Sequence, residues 1–166
     1  EKNVRFVDEE KKTEILSDKA TYLKNDEIIF TEGNTSALVE EKYKFTSKNI
    51  VFKKKIQEIS SKDKSMVIDQ NGNNYSTDNF LYLIDSSLLK AKNVNIINNI
   101  DKTKKDKYFF SEGFFNLDNN NFVSKETKIN VHKNIFDNQE QDPRLYGASS
   151  YGNQSVTVVN NGIFTS

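Results

Sequence analysis

The chain has 166 residues, enough for one domain with a modest core. Lysine and arginine together number 24, as do aspartate and glutamate, so the net charge is zero and the basic excess of a generic nucleic-acid binder is absent. Twelve Phe and seven Tyr are too much aromatic material for a disordered chain, and the lack of cysteine removes disulfides, Cys-based metal sites and thiol nucleophiles.

No apolar run approaches the ~20 residues that a membrane-spanning helix needs. The sequence begins at Glu1, without a Met or a signal-like apolar stretch, as a fragment or a mature chain stripped of its targeting segment would. Basic runs such as Lys53-Lys54-Lys55 and Lys104-Lys105 read as solvated strand ends and turns.

Taken in chain order, the first elements are the runs "NVRFV" at 3–7 and "TEIL" at 13–16, candidates for a sheet edge. Next comes a phrase that repeats: "SDKATY" at 17–22, "SKNIVF" at 47–52 and "TDNFLY" at 77–82, always thirty residues apart, with a weaker copy, "SKETKI", at 124–129. "FTEG" at 30–33 likewise recurs as "FSEG" at 110–113. Apolar residues alternate in short runs around these phrases, as in Ala20/Tyr22, Ile28/Phe30, Ile50/Phe52, Phe80/Tyr82 and Ile129/Val131. Period-two alternation of aromatic and β-branched residues marks half-buried strands. Each phrase is therefore expected to be one strand, followed by a turn and a return strand. Polar clusters at 24–26, 70–74, 85–87 and 118–121 supply the turns, and "NGN" at 71–73 is the strongest hairpin signal. Pro143 is expected in a connection or at an edge, and "QSVTVV" at 154–159 at the far end of the sheet.

Units of this length cannot bury a face alone and must stack on their neighbours. About twelve short strands then give an all-β, antiparallel domain spanning residues 1–166, with two sheets facing each other. The expected inner face carries Tyr22, Ile28, Phe30, Ile50, Phe52, Phe80, Tyr82, Leu88, Val94, Ile96, Phe109, Phe115, Phe122, Ile129 and Val131. A bulge flips this parity locally, and composition leaves open whether the interior is a dry core or a lipid groove.

The repeated phrase resembles the OstA-type repeat, in which "A-D-x-A-x-Y", a turn and an apolar run ending in "x-G-x-V" follow one another. "DKATYLKNDEIIFTEGNTSALV" at 18–39 matches it well, whereas the second and third copies put Ile50 and Phe80 where the family has a small residue. "DPRLYGASSYGNQSVTVVNNGIFTS" at 142–166 is similar to the segment that precedes the outer-membrane barrel in the LptD family of lipopolysaccharide-assembly proteins. There "N-G-x-F-T-S" runs into a cysteine, just where this sequence stops. The repeat is shared with the bridge proteins LptA and LptC, and the C-terminal phrase favours LptD. The resemblance implies a β-jellyroll, or β-taco, folded into a V-shaped groove on the periplasmic side of the outer membrane of a Gram-negative bacterium. It implies lipopolysaccharide as cargo, received from an LptA-like bridge protein by edge-strand pairing and passed towards a barrel that works with an LptE-like lipoprotein. Head-to-tail self-association through the same edges is a corollary. The fifteen inner residues would then be the lipid-binding ones, with Lys24 or Lys90 meeting phosphates at the open edge.

Catalytic and metal constellations are weak. His132 is the sole histidine and has no Cys partner for zinc. Acid pairs such as Asp8-Glu9 and Glu40-Glu41 sit in polar stretches. Ser60-Ser61, Ser86-Ser87 and Ser149-Ser150 lack a "G-x-S-x-G" setting. The triplets "NTS" at 34–36 and "NQS" at 153–155 match a glycosylation acceptor, a pattern frequent by chance. No cofactor and no enzymatic activity are expected. Two other classes stay open: a structural or adhesive β-repeat module with a dry core, and a carbohydrate-active enzyme.

Overall fold

The computed structural model describes residues 4–98, 105–132, 143–153 and 155–165. These form fifteen strands: β1 (Val4–Asp8), β2 (Thr13–Leu23), β3 (Ile28–Val39), β4 (Tyr43–Ser47), β5 (Val51–Lys53), β6 (Glu58–Ser61), β7 (Ser65–Ile68), β8 (Asn74–Thr77), β9 (Asn79–Leu83), β10 (Leu88–Ile97), β11 (Lys107–Asn116), β12 (Phe122–Asn130), β13 (Arg144–Gly152), β14 (Thr157–Asn160) and β15 (Ile163–Thr165). Every pairing is antiparallel, and two 3-10 turns, Lys54–Ile56 and Ile84–Ser86, join β5 to β6 and β9 to β10.

Each long strand serves two layers. In β3, residues 28–30 pair with β5, whereas residues 35–39 pair with β4. In β10, residues 88–92 pair with β9 and residues 95–97 with β8. In β13, residues 149–152 pair with β14 and residues 144–146 with β15. The sheet is thus folded along a line that crosses every strand. A front layer runs from the second half of β2 through β5, β6 and β9 to β14. A back layer runs from β1 through β4, β7 and β8 to β15.

The repeated phrase lies on this fold line. Rather than being a whole strand, each copy is the corner where a strand passes between layers. The first copy straddles a register shift between Ser17 and Lys19, and the second and third bridge the breaks between β4 and β5 and between β8 and β9. The fourth carries the left-handed residue Glu126. Copies one to three run from back to front; the fourth, whose Ser124 pairs in the front layer and Thr127 in the back, runs the opposite way. This reversal is the structural counterpart of its weaker match.

The phrase opens on Ser or Thr because bending a strand frees backbone groups from the ladder, and those groups need partners inside the fold. Thr31 Oγ1 accepts from Ile50 N at 2.7 Å, and Thr77 Oγ1 donates to Lys92 O at 2.7 Å. Hydroxyls also bridge strand to strand: Ser17 with Thr35 at 2.9 Å, Ser47 with Ser61 at 2.8 Å, and Ser124 with Ser150 at 2.8 Å. The next positions of the phrase brace the corner from outside. Asp18 accepts from Asn34 N at 2.8 Å, and Asp78 accepts from Asn93 Nδ2 at 2.7 Å. Asn93 and Gly33 both take positive φ, 49° and 86°, to make the bend.

Aromatic rings from the two layers meet in the space between them. Phe6 of β1 lies 5.9 Å from Phe52 of β5, Phe45 of β4 packs on Phe80 and Tyr82 of β9, and Tyr75 of β8 meets Phe115 of β11 edge-on. The expectation of two facing antiparallel layers therefore holds, as do the hairpin at 71–73 and the edge position of β1, whereas residues 13–16, also expected at an edge, lie between β1 and β3. Pro143 lies in the approach to β13, its carbonyl accepting from Val131 N at 3.1 Å.

The parity of the inner face needs correction at several positions. Ile28 and Phe30 point outward, because the core residues of β3 are Ile29, Ala37 and Val39. Leu88 is outward and Leu89 inward, since the bend at Asn93 shifts the alternation that makes Val94 and Ile96 inward. Phe109 is outward because its neighbours Tyr108 and Phe110 face the core, and the inward set of β11 changes parity between Phe110 and Gly113. Tyr22 shares the face of its partner Ile29 but is 48% exposed, because β1 covers only residues 13–17 of β2.

Candidate functional site

The space between the layers has a closed part and an open part. In the closed part, Tyr43, Phe45, Ile50, Phe52, Ile59, Tyr82 and Leu89 are fully buried, and the rings of Tyr43, Phe45 and Tyr82 are in contact. Burial pushes the phenols of Tyr43 and Tyr82 above their ordinary value.

Opposite the fold line, the two layers end in rows of turns that form the lips of the V. The front lip is built by the same period of thirty. Glu27, Gln57 and Ser87 all take left-handed φ. The carbonyl of each accepts from the next turn: Lys54 N at 3.0 Å, Ile84 N at 2.9 Å and Leu117 N at 2.9 Å. The back lip consists of the turns at 9–12, 40–42 and 69–73. Ion pairs latch one lip to the other along the closed part. Asp8, only 2% exposed, faces Lys54 at 3.4 Å and accepts from Gln57 Nε2 at 3.3 Å. Lys11 pairs with Asp85, and Lys42 stands 4.0 Å from Asp118. The Asp8 carboxylate holds the Lys54 ammonium above its ordinary value, and Asp85 does the same for Lys11.

Beyond Asp118 the lips part. A cleft of about 750 Å3 opens there, its walls Tyr75, Ile96, Tyr108, Phe110, Phe115 and Phe122. Its rim carries Asn71, Asn73 and Asn98 from the back lip, and Asn116, Asn120, Asn121 and Asn153 from the front, together with Ser155, Val156 and Thr157. The Asn71–Asn73 turn is held by Asp69, whose carboxylate accepts from the backbone N of both Asn71 and Asn73 at 2.9 Å and from the Tyr75 hydroxyl at 3.2 Å. Burial, reinforced by Asp69, drives the Tyr75 phenol far above its ordinary range. Beyond the cleft, on the inner side of the last strands, Leu145 and Val159 are half-buried and Phe164 is 55% exposed, so the interior is open at this end.

The expected site residues divide between these parts. Ile50, Phe52, Phe80, Tyr82 and Val94 lie in the packed core. Ile96, Phe115 and Phe122 line the cleft, Ile129 is buried close to the open end, and Val131 is half-buried just past β12. Tyr22, Ile28, Phe30, Leu88 and Phe109 contribute to neither wall. Tyr75, Tyr108 and Phe110 are cleft residues that the inner-face reading missed; the bend-shifted alternation of β11 is the signal that would have found the last two. Lys90 stands over the outward Phe114 ring at 5.3 Å, away from the rim, and Lys24 is in the exposed turn after β2. His132 contacts Asp106 at 2.8 Å through Nδ1. A second concavity, about 840 Å3, follows the outer side of the fold line and is lined by Leu16 and Met66 together with polar and charged groups such as Asp18, Ser36, Thr46, Lys48, Lys64, Ser76, Asp78 and Asn95.

Taken together, fold and cleft define a class: a folded-over antiparallel β-jellyroll whose apolar interior opens between asparagine-bearing lips. Among solved structures the chain is similar to LptH of Pseudomonas aeruginosa, the LptA-homologous periplasmic component of the lipopolysaccharide transport device. The TM-score is 0.56 at 10% identity, covering 68% of this chain and 80% of that one. No family model matches the sequence, and no curated protein matches it.

Proposed function

We propose that this chain is a lipid-carrying module of a lipopolysaccharide transport device, acting on the periplasmic side of the outer membrane. The observation that carries the reading is the aromatic cleft between the layers, set in a fold similar to that of LptH. Acyl chains leave water on entering such a cleft at about 0.8 kcal/mol per buried methylene, and smooth aromatic walls let them slide onward. The module binds and transfers; no bond is made or broken. Among the described residues β1 at one end and β14 and β15 at the other each pair with one strand only, which suits strand addition by a partner of the same fold. On this reading an LptA-like bridge protein docks at β1. The C-terminal phrase at 142–166 favours an LptD-type module leading to a barrel and its LptE-like lipoprotein.

Photo-crosslinking tests the proposal. A photoreactive residue at Phe115 or Phe122 is expected to trap lipopolysaccharide, and one at the adjacent outward positions Phe114 or Val123 is not. Equal labelling of both faces, or none, would overturn it. The packed interior around Phe45 and Phe52 favours a second reading, a structural β-repeat module, and absence of labelling at every inward position would support that one.

A further inference from the structure

We infer that the outer side of the fold line is a second binding site, and that it takes an extended, uncharged polysaccharide. It lies on the opposite side of the molecule from the lips, so it is independent of the cleft and of its cargo. Ladder partners line up there in one row across the back layer: Leu16, Ser36, Thr46, Met66, Ser76 and Asn95 stand side by side on neighbouring strands. They floor the concavity of about 840 Å3, whose wall is formed by corner residues such as Asp18, Lys48, Lys64 and Asp78. The row does not stop at β10. Asn95 pairs with Phe109, and Lys128, Tyr146 and Ile163 carry it on over β12, β13 and β15. These last four residues line a further hollow of about 420 Å3. From β2 to β15 the row spans about 45 Å at the usual strand spacing.

The row crosses the strands, and the backbone groups beneath it are engaged in the ladder, so a ligand meets side chains only. A peptide therefore has no strand edge to extend on this face. Hydroxyls and amides fill the middle of the floor, which gives an acyl chain no continuous apolar bed. Charges along the two hollows are balanced, Asp18, Asp78 and Glu126 against Lys48, Lys64 and Lys128, without the basic excess that draws a polyanion. A sugar chain fits each part. Its hydroxyls both donate and accept, as do those of Ser36 and Ser76, which, like the ammonium groups of Lys48 and Lys64, make no hydrogen bond or ion pair to the described residues. The apolar C–H faces of its rings find Leu16 and Met66 in one hollow and Phe109 in the other. An extended β-linked glycan repeats along its length as strands repeat across a sheet, which suits a row with one side chain per strand.

Isothermal titration with chitohexaose and cellohexaose, both extended and uncharged, tests the proposal, with the coiled maltohexaose and the polyanion dextran sulfate as comparisons. The extended hexasaccharides are expected to bind about tenfold more tightly than either comparison. Amide NMR shifts should follow the row at Thr46, Ser76 and Phe109. Phe109→Ala removes a stacking surface, and Ser76→Trp fills the trough from an exposed position. Each is expected to weaken binding about tenfold. Far-ultraviolet circular dichroism, and uptake of the neutral apolar dye N-phenyl-1-naphthylamine by the cleft, should be unchanged in both variants. No binding of either extended glycan, tighter binding of dextran sulfate, or full affinity in both variants overturns the proposal. So do shifts confined to the cleft residues Phe115 and Phe122.

Discussion

The ring of Phe45 in the back layer lies 4.9 Å from that of Tyr82 in the front layer, and both side chains are fully buried. This contact joins the two layers across the packed part of the V. Replacing Phe45 by Ala removes the ring and leaves a void that two folded-over layers cannot easily close. A loss of about 3–5 kcal/mol is expected in urea unfolding. Phe114→Ala, at an outward position 43% exposed, should cost far less.

Gly33 is the corner of β3, and its φ of +86° already disfavours any side chain. A Cβ there would come within 2.5 Å of the Asp18 carboxylate, the group that accepts from Asn34. Gly72 also has positive φ, but nothing stands within 4 Å of its Cβ position. Gly72→Ala is expected to cost the left-handed strain alone, about 1–2 kcal/mol, and Gly33→Ala clearly more, because Asp18 must move as well. Parallel thermal and urea denaturation of the two variants compares them directly.

Much of the architecture was legible before any coordinates. Alternation at Ile50/Phe52 and Phe80/Tyr82, turns such as Asn71–Asn73 and the apolar edge at Val4–Val7 pointed to facing antiparallel layers, and the fold agrees. The fold line was not legible. A period-two pattern assumes a straight strand, whereas Asn93 and Glu126 insert a left-handed residue that moves the inward set by one place. Leu88 was misplaced for that reason, and Phe109 because β11 changes its inward set between Phe110 and Gly113. At Ile28, Ile29 and Phe30 three successive apolar residues left the choice of face to the neighbouring strands. The asparagine rim was beyond reach from sequence, because its members come from four separate turns that only the stacked lips bring together.

Alkaline pH should unfold the protein through its buried tyrosines. The phenols of Tyr75 and Tyr82 are held above the ordinary value chiefly by burial. The folded chain therefore keeps protons that the unfolded chain releases once pH passes about 10. The stabilisation is complete below that point and falls as pH rises, by about 1.4 kcal/mol per pH unit for each such tyrosine. Phenolate absorbance and far-ultraviolet circular dichroism are expected to change together in this range. Tyr75→Phe should flatten the slope.

Neutralising the latch should loosen the closed part. With Asp8, Asp85 and Asp118 all replaced by Asn, Lys54, Lys11 and Lys42 lose their partners across the seam. More N-phenyl-1-naphthylamine bound per chain is expected, together with faster hydrogen exchange in β4 and β5. Raised salt should reproduce part of the effect through screening of the exposed pairs. An unchanged dye stoichiometry would mean that ring packing alone holds the layers together.

The corners at Ser17, Ser47 and Thr77 and the turns closed by Glu27, Gln57 and Ser87 keep the same count, so the polypeptide carries its own ruler. Each thirty-residue tick adds two strands to either layer, which at the usual spacing lengthens the molecule by about 10 Å and leaves its width unchanged. Reach and bore are thereby separate variables, and a longer conduit needs more ticks rather than a new design.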